Sequence, residues 1–219
     1  MERLHHFQYN EVASRCLGRL DVRYGMNQEP FQNTQIINNP YIMSIVRNLL
    51  DGGHRSKPEA SLPKLVYAGL ILSFPNSADQ PWHQDGGKLF EDDEFFHYAQ
   101  NVGGRHTENN DIVIDLPPYA LNVFIPLEDV TEELGPTEFL VQSHLQSKTK
   151  ELNQVLTAGA DLLADDNDTN NKKISMPLIG PTLKCGDALF YDYRICHRGT
   201  QNLSTKGQTR PMLYLMYAR

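Results

Sequence analysis

The sequence predicts a mainly β protein with flanking helices, in which the strands form a sandwich or a jelly-roll barrel. Seven or more short apolar segments follow one another, and glycine or proline separates most of them, as expected for short strands joined by turns. In addition, 219 residues with an apolar share of 40% suffice for one domain with a hydrophobic core. We therefore expect a single domain over residues 1–219.

Residues 1–60 are expected to be mostly helical, with loops. The pair Asn39-Pro40 suits the start of a helix, and Gly52-Gly53 suits its end. Between these two pairs, apolar residues recur at helical spacing: Ile42, Ile45, Val46 and Leu49, followed by Leu50. The sequence therefore predicts one helix here, ahead of the strands.

From residue 65 onward the apolar segments are short and typical of strands. The longest, 65–74, is rich in branched and aromatic residues and is followed by Pro75. The further strand segments are 111–116, 120–127, 137–142, 174–179, 181–184, 188–193, 196–199 and 212–218. Together they form the expected β core over 65–219.

Two stretches interrupt the strands. Residues 86–110 are polar and acidic, so we expect a long surface loop and a candidate lid over a site. Residues 147–163 carry leucine and valine at roughly helical spacing and belong to an insertion near 144–174.

Charge and cysteine content restrict the class of function. The formal net charge is −7 without a basic run, which argues against a nucleic-acid partner. No 18-residue window is uninterruptedly apolar, so no membrane span is expected. The start lacks the apolar run of a signal peptide, and three cysteines without Cys-x-x-Cys spacing fit a reduced, intracellular and cytoplasmic setting. A small-molecule substrate is the expected partner.

A histidine and an aspartate two positions apart, His83 and Asp85, are the first candidate metal ligands. On an extended strand, side chains at i and i+2 point to the same face, so this pair could hold one ion from one side. Alone the pair is weak evidence, because a solvated surface turn explains most His-x-Asp sequences.

His197 is the best candidate for a third ligand, since it begins a strand after a glycine turn. Two histidines and one carboxylate on one face form a facial triad, which leaves three positions of an octahedral iron(II) open for a cosubstrate and dioxygen. The alternative is a core histidine beside Cys196. The same ligands also suit zinc, but the sequence has no His-Glu-x-x-His motif to supply the general base of a zinc hydrolase.

Arg210 comes just before the last strand segment, 212–218. A guanidinium inside a barrel is costly unless it is paired, and it is well suited to a bidentate grip on a carboxylate. 2-Oxoglutarate has a keto acid that can chelate iron and a distal carboxylate that needs such a partner. The competing interpretation of Arg210 is a surface salt bridge.

Taken together, these residues resemble the phytanoyl-CoA dioxygenase family. The similarity covers roughly residues 65–219 and consists of His83-Gln84-Asp85, Gly135-Pro136-Thr137-Glu138-Phe139, Ser143-His144 and His197-Arg198-Gly199-Thr200, followed by Asn202, Ser204 and Arg210. Members of this family are iron(II)- and 2-oxoglutarate-dependent oxygenases on a double-stranded β-helix, a cupin-like jelly roll.

The resemblance implies a role for each candidate. By this similarity, His83, Asp85 and His197 bind iron(II), and O2 is the second cosubstrate. Arg210 would bind the distal carboxylate of 2-oxoglutarate. Halogenating relatives have a small residue in place of the metal-binding aspartate, so Asp85 favours hydroxylation over halogenation.

Two positions depart from the family pattern. Gly199 stands where the family often has serine, and Thr200 is expected to take over the hydrogen bond to the distal carboxylate. The family's Pro-Gly-Ser-His motif is reduced here to Ser143-His144, which we interpret as a turn at a strand end rather than a ligand pair.

Three further residues are candidates for the walls of the site. Tyr67 and Ser73 lie on one face of the strand before the His-x-Asp pair, so either could contact 2-oxoglutarate; ordinary barrel lining is the alternative. Trp82 precedes His83 and either walls the substrate pocket or packs in the core.

The predicted function is an iron(II)- and 2-oxoglutarate-dependent dioxygenase. It would hydroxylate a small organic or lipid-like substrate and release succinate and CO2. The acidic balance of the chain disfavours a phosphate-rich acyl-CoA, because no basic cluster is visible to receive it. The alternative is a non-catalytic, cupin-like protein that binds a small molecule or a metal.

Overall fold

The computed structural model describes residues 9–25, 29, 32–51, 63–86, 105–106, 112–113, 118–158 and 174–219. The strands in these residues are β1 Tyr9–Cys16, β2 Arg19–Tyr24, β3 Lys64–Ser73, β4 Arg105–His106, β5 Ile112–Val113, β6 Ala120–Pro126, β7 Thr137–Leu140, β8 Leu178–Ile179, β9 Leu189–Asp192, β10 His197–Gly199 and β11 Arg210–Ala218. The helices are α1 Thr34–Ile37, α2 Pro40–Asp51 and α3 Thr149–Ala158, with a short 3₁₀ turn before α3.

The strands form one large and one small antiparallel sheet. The large sheet has six strands in the order β1-β2-β3-β11-β6-β9, the small sheet has the order β10-β7-β8, and β4 and β5 form a separate pair. Phe139 of the small sheet packs against Phe124 and Tyr191 of the large one, so the two sheets face each other. The mainly β, double-stranded β-helix fold that the sequence predicts is confirmed.

Helix α2 covers the outer face of the large sheet. Asn39 caps it, because its side-chain oxygen accepts hydrogen bonds from the backbone N–H groups of Tyr41 at 3.1 Å and Ile42 at 3.3 Å. Pro40, in the first helical position, has no N–H that would need a partner. The buried face packs on Leu121, Val123, Leu215 and Tyr217 of the sheet and consists of Ile42, Met43, Val46 and Leu50.

The predicted helix is therefore confirmed, but its buried face is turned from the expected one. Ile45 and Leu49, which the helical spacing placed on the apolar face, are 42% and 44% exposed, whereas Met43, which was not in that set, is buried. The apolar residues nearly surround the helix, so spacing alone could not decide which of them contact the sheet.

The expectation that residues 1–60 are mostly helical is wrong for residues 9–24. These residues form the hairpin β1–β2, which joins the large sheet by pairing β2 with β3. A strand pattern is difficult to see in β2 because its inward positions carry charged residues, Arg19, Asp21 and Arg23, instead of apolar ones. Gly18, with φ at +70°, forms the turn between the two strands.

The other strand predictions agree to different degrees. Strands β3, β6, β9, β10 and β11 overlap the segments 65–74, 120–127, 188–193, 196–199 and 212–218 and confirm them, whereas β7 confirms segment 137–142 only as far as residue 140, because residues 141 and 142 belong to a turn. In contrast, only Leu178–Ile179 of segment 174–179 is a strand, and 181–184 contributes a single bridge between Leu183 and Val130.

The two interruptions are only partly described. Helix α3 confirms the helical spacing in the segment 147–163 as far as residue 158. Of the predicted loop at 86–110, most residues lie outside the described ones, and β4 falls within its last part. None of the helices in the described residues is both long and apolar enough to cross a membrane.

Two adjacent leucines of α2 provide a test of the packing on the sheet. Replacing the fully buried Leu50 by alanine leaves a cavity under the helix and should destabilise the protein by about 2–5 kcal/mol. Replacing the half-exposed Leu49 by alanine should cost less than about 1 kcal/mol. Urea unfolding, followed by the fluorescence of Trp82, measures both changes. Equal losses in the two variants would contradict this orientation of α2.

Candidate active site

The structure brings the three predicted metal ligands together. His83 forms an antiparallel bridge with His197, in which the N–H of each residue donates to the carbonyl of the other at 3.1 and 2.9 Å. This pairing places the two imidazole rings side by side, with 4.4 Å between their centroids. One ligand atom from each of His83, Asp85 and His197 lies within 4.8 Å of the others.

Backbone carbonyls fix the orientation of both imidazoles. Nδ1 of His83 lies 2.9 Å from the carbonyl oxygen of Pro81, and Nδ1 of His197 lies 3.0 Å from that of Ile195. A carbonyl oxygen can only accept, so the proton of each neutral ring is assigned to Nδ1 and the Nε2 lone pair is left for a metal. Burial lowers the pKa of His197, against the opposing effect of Asp85, and so favours its neutral, metal-binding form.

Two residues that sequence reasoning missed hold the carboxylate of Asp85. Nδ2 of Asn122 donates to Oδ2 of Asp85 at 2.5 Å, and the Tyr191 hydroxyl lies 3.5 Å from the same oxygen. Burial, and after it the charge of Asp85, raises the pKa of Tyr191, so its phenol keeps the proton. One signal was available in the sequence: Asn122 is the polar residue inside the otherwise apolar strand β6.

This donor set fits a divalent metal. Two imidazoles and one carboxylate approach the same point from one side, and a cavity of about 510 Å³ opens on the other. Such a 2-His-1-carboxylate set suits octahedral iron(II) and leaves positions open for further ligands.

A second cluster lies where three strands of the large sheet are in register. Ser73 of β3 is paired with Arg19 of β2 on one side and with Arg210 of β11 on the other. The Ser73 hydroxyl accepts from Nε of Arg19 at 2.8 Å and from Nη2 of Arg210 at 2.9 Å. All three side chains are almost completely buried.

Of the two arginines, Arg210 lines the cavity and is the cation that an anion there would meet, whereas Arg19 does not line it. Neither has a carboxylate within 4.0 Å among the residues that the structure describes, and Nε of Arg210 has no hydrogen-bond partner there. Burial, with the charge of Arg19 adding to it, lowers the pKa of Arg210 to about 9. At neutral pH the group remains mostly charged, so a carboxylate placed against it would relieve the cost of burial. The distal carboxylate of 2-oxoglutarate fits this position.

Arg19 also explains the glycine at position 199. A Cβ atom added to Gly199 would lie 2.5 Å from Nη1 of Arg19. That same nitrogen donates to the carbonyl of Gly199 at 2.8 Å, and Nη2 donates to the carbonyl of Thr200 at 2.6 Å. The Arg19 guanidinium therefore occupies the space that a serine side chain would need.

The structure does not support the expected role of Thr200. Its hydroxyl donates to the carbonyl of Pro136 at 2.7 Å, and Thr200 is not among the residues that line the cavity. Arg19, from the hairpin that the sequence did not predict, shares the Ser73 hydroxyl with Arg210 and, like Thr200, is not among the residues that line the cavity.

The remaining candidates lie at different depths. Tyr67 is half-exposed and lines the cavity. Ser73 is buried and does not line it, but its hydroxyl accepts a hydrogen bond from Arg210, which does. Trp82 packs in the core against Leu152 and Val155 of α3 and does not line the cavity.

Ser143-His144 belongs to a turn, as expected. Residues 141–144 form this turn after β7, and the buried Ser143 hydroxyl accepts a hydrogen bond from the N–H of Cys196 at 2.7 Å. The turn therefore supports the residue before His197 rather than supplying a metal ligand.

Several solved structures share this fold. The epimerase SnoN from nogalamycin biosynthesis, a non-heme α-ketoglutarate-dependent enzyme, is 18% identical; the match covers 98% of this chain and 68% of SnoN, with a TM-score of 0.56. The α-ketoglutarate-dependent carbocyclase SnoK from the same biosynthesis is 15% identical over 98% of this chain and 69% of its own, with a TM-score of 0.60. HygX from Streptomyces hygroscopicus, solved with nickel and 2-oxoglutarate, is 12% identical over 98% and 74%, with a TM-score of 0.59.

The family assignment rests on the sequence. A sequence model of the phytanoyl-CoA dioxygenase (PhyH) family matches residues 26–212. This range includes the three ligands and Arg210, which suit iron(II), 2-oxoglutarate and O2, the cofactors of a family of dioxygenases. The chain therefore belongs to the phytanoyl-CoA dioxygenase family.

Proposed function

We propose that this protein is an iron(II)- and 2-oxoglutarate-dependent hydroxylase of a small organic or lipid-like molecule, and that it releases succinate and CO2. One observation carries the proposal: a single cavity connects the ligand cluster around His83 to the buried Arg210, whose Nε lacks a partner. A protein that only bound a metal would have no need for that buried cation.

Each residue has a defined part in this function. Nε2 of His83, Nε2 of His197 and the carboxylate of Asp85 would hold the metal, with Asn122 fixing the carboxylate. Iron(II), when bound with 2-oxoglutarate and O2, supplies the oxidising chemistry. Arg210 would anchor the distal carboxylate of the cosubstrate, which fixes the keto acid toward the metal.

The apolar walls complete the site. Ile71, Phe124 and Met212 line the cavity from neighbouring strands of the large sheet. Apolar side chains at this position keep water away from the reacting groups and strengthen the electrostatic contacts of Arg210.

Hydroxylation is proposed over other oxidative outcomes on the basis of Asp85. A carboxylate held by Asn122 at 2.5 Å fills the metal position that a halide would require. SnoN and SnoK are an epimerase and a carbocyclase, so product analysis by mass must accompany the assay. A mass gain of one oxygen supports hydroxylation, and a loss of two hydrogens or an unchanged mass contradicts it.

The ligand assignment is tested by single substitutions. His197→Ala and Asp85→Ala should each lose bound iron(II) and succinate formation, because two ligands do not hold the ion firmly. Iron content after anaerobic gel filtration and succinate yield are the measurements. His144→Ala, a histidine of the turn, is the matched control and should keep its iron. Retention of iron and full turnover by His197→Ala would refute the assignment.

The anion site is tested by removing its cation. Arg210→Met should weaken 2-oxoglutarate binding by roughly 10- to 100-fold, the value of one or two charged hydrogen bonds, while metal binding is unchanged. Anaerobic calorimetry with the manganese(II)-loaded protein measures both affinities. Arg47→Met, on the exposed face of α2, is the control and should leave the 2-oxoglutarate affinity as it is. An equal affinity in Arg210→Met and the parent protein would exclude this anchor.

A double-mutant cycle tests whether the Arg19 guanidinium fills the space that a side chain at position 199 would need. Gly199→Ser should reduce 2-oxoglutarate affinity and stability in the parent protein, because an added Cβ atom would lie 2.5 Å from Nη1 of Arg19 and 2.7 Å from Oε1 of Gln80. In an Arg19→Ala background only the contact with Gln80 remains, so the same change should cost less, giving a coupling energy of about 0.5–3 kcal/mol. Calorimetry and urea unfolding are carried out on the parent protein, the two single variants and the double variant. Additive effects of the two substitutions would rule out a steric conflict between Arg19 and a side chain at position 199.

A further inference from the structure

Arg19 is a buried cation to which the proposed function gives no part. Its side chain is fully buried and is not among those that line the cavity, so it does not touch a ligand bound there. Three of its N–H groups are nevertheless engaged. Nε donates to the Ser73 hydroxyl at 2.8 Å, Nη1 to the carbonyl of Gly199 at 2.8 Å and Nη2 to that of Thr200 at 2.6 Å. Because burying a guanidinium is costly, the hydrogen bonds that offset this cost hold the side chain in one place.

The acceptors of Arg19 belong to both sheets. Ser73 is the last residue of β3 in the large sheet, and Gly199 is the last residue of β10 in the small sheet. The Arg19 side chain is therefore a cross-link between the two sheets. Since the guanidinium is planar and its N–H groups point in fixed directions, it holds its acceptors at fixed relative positions, which a flexible amine would not do.

The two ends of this cross-link lead to the two parts of the candidate site. On the large sheet, the Ser73 hydroxyl also accepts from Nη2 of Arg210 at 2.9 Å. A hydroxyl oxygen has two acceptor lone pairs, so both are in use and the hydroxyl cannot turn without losing one arginine. On the small sheet, Gly199 follows His197 by two residues in the same strand. Arg19 thus connects the proposed carboxylate anchor with one of the proposed metal ligands.

The Arg210 side chain has little else to hold it. Among the described residues its only other hydrogen bond is a long one of 3.4 Å, from Nη1 to the carbonyl of Leu134, and Nε has no partner. Nδ2 of Asn202 also joins the two segments, since it donates to the backbone carbonyl of Ser73 at 3.0 Å. That contact does not involve the hydroxyl that holds Arg210. The direction of the Arg210 guanidinium therefore depends on Ser73 and, through it, on Arg19.

The position of Arg210 determines which keto acids can use both parts of the site. The keto acid of 2-oxoglutarate would meet the metal, and its distal carboxylate would meet Arg210. Where the separation of these two points is held rigidly, a diacid with one more methylene group must bend or give up one of its contacts.

We propose that Arg19 is a positioning residue that fixes the distance between the metal ligands and Arg210, and so makes the site selective for a keto diacid of the length of 2-oxoglutarate. This inference rests on the proposed function, because it assigns a determinant of cosubstrate binding in the same site. Arg19 acts through Ser73 and Arg210 and does not touch the cosubstrate itself.

Two comparisons between keto acids measure the proposed effect. The manganese(II)-loaded protein is titrated anaerobically, by calorimetry, with three ligands. These are 2-oxoglutarate, 2-oxoadipate, which is one methylene group longer, and 2-oxopentanoate, which has a methyl group in place of the distal carboxylate. The parent protein should bind 2-oxoglutarate about tenfold or more tightly than either of the others, the range of one charged hydrogen bond.

Variants then test the part of Arg19. Arg19→Lys keeps the positive charge but loses the planar fork, and it should reduce the preference over 2-oxoadipate severalfold. Ser73→Ala removes the hydroxyl that joins the two arginines and should have the same effect. In an Arg210→Met background, Arg19→Lys should leave the ratio of the two affinities unchanged, because no anchor remains to be positioned.

Leu50→Ala separates positioning from a general loss of stability. This leucine packs under α2 on the outer face of the large sheet and does not line the cavity. The variant is destabilised but should keep the preference of the parent protein over 2-oxoadipate.

Three results would overturn the proposal. They are equal binding of 2-oxoadipate and 2-oxoglutarate by the parent protein, an unchanged preference in Arg19→Lys or Ser73→Ala, and an equal loss of preference in Leu50→Ala. A parent protein that binds 2-oxoglutarate no more tightly than 2-oxopentanoate would instead refute the anchor, and with it the proposed function. The two failures are therefore distinguishable.

Discussion

The register of β3 between β2 and β11 determines the chemistry of the cavity. It places Ser73 beside both Arg19 and Arg210, so that one hydroxyl accepts from two guanidinium groups. The same register places Gly69 between Arg23 and Tyr214. Because side chains alternate along a strand, a shift by one residue would turn all of these groups away from the interior.

The metal ligands depend on the opposite sheet. His83 is held against His197 by a single bridge, and the His197 strand is in turn paired with β7. The large sheet contributes Asn122 and Tyr191, which both contact Oδ2 of Asp85. The site is thus formed where the two sheets meet: the small sheet supplies His197 and holds His83 by a bridge, and the large sheet supplies Arg210 and the groups that contact the carboxylate.

The sequence predicts those parts of the site that lie in short motifs. His83 and Asp85 are two residues apart, and His197 and Arg210 each stand at the start of a strand, so these residues lie in short segments that can be matched, in order, to the family pattern. Arg19, Asn122 and Tyr191 act through pairing between distant strands, and no local pattern marks that pairing. The hairpin was missed for a related reason: its inner face is charged because it lines a cavity, which removes the apolar alternation by which strands are recognised.

The position of the hairpin limits what family membership implies about the cavity. The family match begins at residue 26, after the whole of β1 and β2. Membership in the family is therefore recognised from the segment that contains the ligands and Arg210, whereas Arg15, Arg19 and Arg23 lie before it. The family match therefore says nothing about the hairpin residues that line the cavity, and a substrate cannot be assigned to this protein from that match alone.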